Sequence, residues 1–132
     1  AEWEKAARGT DGRIYPWGND LPTQLQANYG KKKWDKHASL VPVGALEDGK
    51  SPYGAYDMAG NVWEWTSDWY DRTYYKNSPS ENPKGPKRGD FKVLKGGSWH
   101  SNPESLHSAN RNYSPPGDHH SHYNGFRCAK TP

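Results

Sequence analysis

The chain has one cysteine, one methionine and two phenylalanines among its 132 residues. A lone cysteine, Cys128, excludes an intrachain disulfide. Only 31% of the residues are hydrophobic, and the mean hydropathy is −1.25. No apolar run approaches the ~20 residues that a membrane-spanning helix needs. Runs of one charge are equally scarce. The net charge is +3 and the only basic cluster is Lys31-Lys32-Lys33, which reads as a solvated loop. Nothing in this pattern points to nucleic acid as a partner.

What the chain does have is aromatic and turn-forming residues. Seven Trp and nine Tyr, each able to bury roughly 150–250 Å², predict a small Trp-rich core instead of disorder. Fourteen Gly and eleven Pro predict many loops and short strands. Residues 1–8 are good helix formers, with Trp3, Ala6 and Ala7 on one face and Gly9 as the cap. Residues 10–54 are crowded with turn signals. A connection of that length is expected to be held by something, such as a metal. Residues 61–70 alternate as a strand does, with Trp63, Trp65 and Trp69 on one side. Further strands are expected at 91–95 and 125–129, which places Cys128 in a buried, inert position. Trp63, Trp65, Trp69 and Trp99 read as core.

The last third is the most informative region. Two blocks, Lys95–Trp99 (KGGSW) and Asn124–Ala129 (NGFRCA), bracket a polar stretch with no period. Together with GRIYPWGN (12–19) and SPYGAYDMAGNVWEWTSDWY (51–70), they resemble the formylglycine-generating-enzyme branch of the C-type lectin fold. The resemblance implies a loop-rich α+β, C-type-lectin-like domain over residues 1–132. It also implies that this is the C-terminal part of the family domain, and that a missing N-terminal segment would pack on an exposed apolar face as a partner.

Within that branch, the segment from Gly96 to Arg127 is most similar to the variable proteins of diversity-generating retroelements, whose C-terminal codons are rewritten at adenines. The residue types agree with that resemblance. Replacing the adenines of an asparagine codon yields His, Tyr, Asp, Ser, Pro and Leu, among others, and never Lys, Glu, Gln, Met or Trp. The irregular positions are His100, Ser101, Ser105, Leu106, His107, Tyr113, Ser114, Pro115, Asp118, His119, His120, Ser121, His122 and Tyr123. All are reachable from such a codon, whereas Glu104 is not.

The family resemblance also implies structural Ca²⁺. One set of ligands maps to Asp57, the Gly60 and Val62 carbonyls and Glu64. A second maps to Asn28, the Tyr29 carbonyl, Asp35 and the His37 carbonyl. Such oxygen-rich sets suit a hard cation. The copper-binding branch uses two cysteines that map here to Ser101 and Leu106, and neither supplies a thiolate. The cluster from Asp118 to His122 reads as repeated sampling of one codon class, not as a transition-metal site. Ser98, His100 and Asp118 form a triad on paper only, with no nucleophile-elbow motif.

The expected function is therefore recognition without catalysis. Residues 100–123 form the exchangeable face, Tyr113 and Tyr123 anchor it, and Trp99 and Phe126 support it from below. The implied ligand is a protein on another cell, a virus or a host, with a glycan as the second class. Display on a cell surface or virion is the implied location. The alternative is a sulfatase-modifying-factor relative with metal-dependent oxidase chemistry, or a degenerate form of one.

Overall fold

The structure is a computed structural model that describes residues 1–118 and 121–130, apart from the side chain of His37. One helix, α1 (Glu2–Arg8), precedes four strands: β1 (Trp63–Trp69), β2 (Lys92–Lys95), β3 (Asn112–Ser114) and β4 (Asn124–Gly125). They form one sheet in the order β3-β2-β1-β4. β1 and β2 run antiparallel, with Glu64 opposite Lys95 and Trp65 opposite Leu94. β2 and β3 are antiparallel, with Val93 opposite Tyr113. β4 is parallel to β1, with Trp63 beside Asn124 and Glu64 beside Gly125.

The helix forms where the sequence predicts it. Gly9, at φ 69°, ends it by donating to the Lys5 carbonyl. It is short, so its hold on the sheet comes from tertiary contacts. Those contacts are largely polar. Trp3 Nε1 donates to Glu64 Oε2 at 2.6 Å, and Lys95 Nζ reaches Glu4 Oε2 at 3.3 Å. Glu64 and Lys95 are 5% and 4% exposed. Because they face each other across β1 and β2, both present their charges to the same side, beneath α1.

The irregular region from Thr10 to Gly60 converges on Asn61. This residue sits at φ 63°, a left-handed conformation that asparagine tolerates. Its amide donates to the Asn28 carbonyl and its carbonyl accepts from Trp99 N, each at 2.8 Å. Its side chain bridges both backbone groups of Val41 and accepts from Asn28 Nδ2. Gly60 beside it permits the approach, since a Cβ there would lie 2.5 Å from the Asn28 carbonyl oxygen. Hydrogen bonds therefore gather these loops around one residue.

The core is small and lies in pieces. Tyr15, Ala27, Ala59 and Leu106 are packed together, flanked by Trp17 and Tyr29. Met58, Trp63, Val93, Leu94 and Trp99 are buried near the sheet.

Several expectations require correction. Leu106, placed on the recognition face, is fully buried under Gly97. A branched apolar side chain inside the Pro103–Leu106 turn turns inward, whatever its codon class. Trp65 and Trp69 are only half-buried. The Lys92 ammonium covers the outer Trp69 ring at 3.8 Å. Phe126 is 78% exposed, so it cannot support the face from below. The last strand stops at Gly125, which leaves Cys128 exposed. β3 forms inside the polar stretch that has no period, because Tyr113 pairs with Val93.

Two outcomes follow from this geometry. Asn61→Ala strands the partly buried backbone groups of Val41 and the buried amide of Asn28, and puts alanine in a left-handed backbone. It should cost about 3 kcal/mol in urea denaturation. Burial holds the pKa of Lys95 down to about 8 from an ordinary 10.5, although Glu4 opposes the shift. Between those values the unfolded chain binds the proton more tightly. Unfolding free energy should therefore rise with pH across this window in the wild type relative to Lys95→Met. An equal slope in both proteins would contradict the assignment.

Candidate ligand-binding face

The Gly96-Gly97 pair ends β2 in a turn that only glycine permits without strain. Gly97 has φ 79°, and a Cβ there would lie 2.6 Å from Leu106 Cδ2. The turn delivers Trp99 into the protein, where it is 1% exposed. Its indole N–H donates to the His122 carbonyl at 3.0 Å, and its ring stacks on Tyr123 at 5.1 Å. The two ends of the polar stretch are thereby pinned to one buried ring.

Around this pin lies an open cavity of about 400 Å³. His100, Ser101, Tyr113, Ser114, Asp118, Ser121 and Tyr123 line it, with Trp63, Leu94 and Ser98 among its other walls. Seven of the fourteen sequence-predicted positions are thus brought together. Tyr113 and Tyr123 are 47% and 38% exposed, with rings available for contact. Tyr113 also stacks on Tyr70 at 4.2 Å and meets Phe91 edge-on at 5.2 Å, which holds its ring in place. Ser114 is buried and donates to Asp118 Oδ2 at 3.0 Å, so it orients that carboxylate. Pro115 is exposed next to it.

The remaining predicted positions lie elsewhere. Ser105 is held by the Asn102 side-chain oxygen in a capped turn. His107 packs edge-on against Tyr15 at 5.2 Å. His122 stacks on Trp34 at 4.7 Å. His119 and His120 lie outside the described residues.

Trp34 was not foreseen. It is 37% exposed, also meets Trp99 at 5.4 Å, and extends the aromatic surface from a different loop. Lys31 anchors that loop by donating from its amide to the Trp99 carbonyl at 2.9 Å. The Lys31 carbonyl in turn faces His100 Nδ1 at 2.5 Å. A carbonyl only accepts, so Nδ1 carries the proton in this contact. The basic cluster is therefore partly structural. A lone Trp after three lysines has no period to reveal that role.

Ser98, His100 and Asp118 all border the cavity, yet their side chains bond to Ser101, Lys31 and Ser114 and not to one another. They form no proton relay. Among the described residues, no three His, Cys, Asp or Glu side chains cluster to hold a metal. At the calcium positions, Glu64 is bound by Arg127 and Trp3, and Asp57 accepts from Gly44 N at 2.8 Å. Asn28 turns its amide nitrogen to Ser39 O and Asn61 Oδ1, Tyr29 is half-buried, and Asp35 is exposed. Gly60 and Val62 lie in the turn before β1, and the His37 backbone in a 3₁₀ turn at Lys36–Ser39. No described helix is long and apolar enough to cross a membrane.

Known proteins share this architecture. The chain is 41% identical to the serine/threonine-protein kinase pkn1 of Chlamydia pneumoniae, over 98% of this chain and 20% of that protein. It is 38% identical to the formylglycine-generating enzyme of Streptomyces coelicolor, over 98% of this chain and 44% of the enzyme. Among solved structures, Treponema denticola variable protein 1 superposes with a TM-score of 0.67 and 28% identity, over 95% of this chain and 43% of that one. The chain thus spans less than half the length of each. The fold is the C-type-lectin-like α+β type seen in formylglycine-generating enzymes. The sulfatase-modifying factor enzyme 1-like domain matches residues 1–132 throughout, and the chain belongs to that family.

Proposed function

We propose that this domain is a non-catalytic recognition module of the diversity-generating-retroelement type, displayed on a cell or virion to bind a protein ligand. One observation carries the reading. Seven scattered positions compatible with adenine rewriting converge on one open cavity, over turns fixed by Gly97, Trp99 and Asn102. Side chains that line an open cavity can change without disturbing the packing beneath it. The structural likeness to a treponemal variable protein supports the same reading.

The chemistry at the cavity agrees with recognition. Tyr offers large contact area at little rotamer cost, and Ser, Asn and Asp adapt their hydrogen bonds. At the positions where the copper-binding branch carries cysteines stand Ser101, a hydroxyl, and Leu106, a buried apolar side chain. Neither is a soft ligand. The one thiol, Cys128, does not line the cavity.

The reading is tested in two ways. Sequencing around the gene should reveal a near-copy of the codons for residues 100–123, differing at adenines, beside a reverse transcriptase. Absence of such a copy from the complete genome would refute the retroelement assignment. In the protein, replacing His100, Tyr113 or Tyr123 by other residues of the same codon class should cost no more than about 1.5 kcal/mol, the worth of one aromatic contact or hydrogen bond. Leu106→Ala should cost roughly 2–5 kcal/mol. Equal losses at face and core would show that the face is not exchangeable.

A further inference from the structure

The first calcium position implied by the family resemblance does not fit the ion in this chain, because its buried carboxylate is already served by a side-chain cation. There, Arg127 Nε and Nη2 donate to the two oxygens of Glu64, both at 2.6 Å. Nη2 also donates to the Tyr56 carbonyl at 2.8 Å. Trp3 Nε1 adds a further bond to Glu64 Oε2 at 2.6 Å. Both oxygens of this buried carboxylate are thus engaged. A calcium ion collects six to eight oxygens at about 2.3–2.6 Å. Seating one on Glu64 would bring a divalent cation against the guanidinium.

The sheet register places that guanidinium. Gly125 of β4 lies beside Glu64 of β1, and Arg127 follows two residues later. The arginine therefore folds back over the carboxylate next to its own strand partner. Its planar fork matches the carboxylate in a way that a spherical ion does not.

Beside the second position, Lys31 Nζ donates to the Ala38 and Ser39 carbonyls at 3.1 and 3.0 Å, neither of them among the four implied ligands. Asn28 presents amide N–H groups to Ser39 O at 2.9 Å and to Asn61 Oδ1 at 3.0 Å. The ammonium thus closes the 31–39 loop on the carbonyls next to His37. These contacts lie in the same network that carries Asn61 and Trp99.

We infer that Arg127 is a covalently attached replacement for calcium at Glu64, and that this carboxylate is held without the ion. The inference is independent of what the face binds. It concerns what keeps the face in shape: Glu64 also carries α1 through Trp3.

The test uses the purified chain and calcium itself. Any effect of calcium chloride on melting, relative to EGTA, should be the same in the wild type and in Asp57→Gly. Equilibrium dialysis against radioactive calcium should detect no stoichiometric ion that this substitution removes. A chelator-induced drop of several degrees, or a tightly bound ion, that is lost in Asp57→Gly overturns the inference. Arg127→Ala should melt roughly 10 °C lower, because it leaves Glu64 buried without its cation. An Arg127→Ala protein that melts like the wild type in EGTA also overturns it. If that variant does not fold, dialysis and melting of the wild type and Asp57→Gly decide alone.

Discussion

Asn61 is the point on which the arrangement of loops depends. One asparagine in a left-handed conformation joins three distant segments, those at Asn28, Val41 and Trp99, through both its backbone and its side chain. Long loops cost conformational entropy that a small core cannot offset alone. A buried, fully satisfied polar network specifies one arrangement where apolar contacts would leave several. The Trp99 amide is one of the groups held this way, so the pin beneath the cavity is fixed by the same residue that orders the 28–41 region. The rigidity of the face and the order of the remote loops share one cause.

The second organising feature is buried charge. Glu64 and Lys95 face each other across β1 and β2 and bind α1 above them. Lys95 also donates to the Ser108 and Asn110 carbonyls, each at 2.7 Å, and so ties the start of the 108–112 segment to the sheet. Such groups hold position well because leaving any of them unpaired is costly, even where their net contribution to stability is modest. A chain with 31% hydrophobic residues has few alternatives. It fixes its geometry with hydrogen-bonded charge and aromatic stacking where a richer core would use aliphatic packing.

The face above this frame draws on more of the chain than its polar stretch. Trp34 and Lys31 come from a separate loop, yet they stack against His122 and hold His100. Positions 100–123 are themselves mixed. Tyr113 and Tyr123 present their rings, Ser114 works underneath them, and Leu106 is core. Under the proposed recognition role, exchangeable positions and scaffold are interleaved, and the division between the two does not follow residue type.

Local order was legible in the sequence. Helix formers before Gly9 became α1, the alternation at 61–70 became β1, and the glycine pair became the turn that lowers Trp99. These depend on neighbours a few residues apart, which a linear pattern records. The family motifs carried the fold class. What tertiary structure alone decided was which side chains of an aperiodic stretch face water. Leu106 turned inward and Phe126 outward, a strand formed at Asn112–Ser114 because Val93 lay opposite, and Arg127 closed on Glu64, 63 residues away. Contacts between residues so far apart depend on sheet register and loop closure, and neither leaves a period in the sequence.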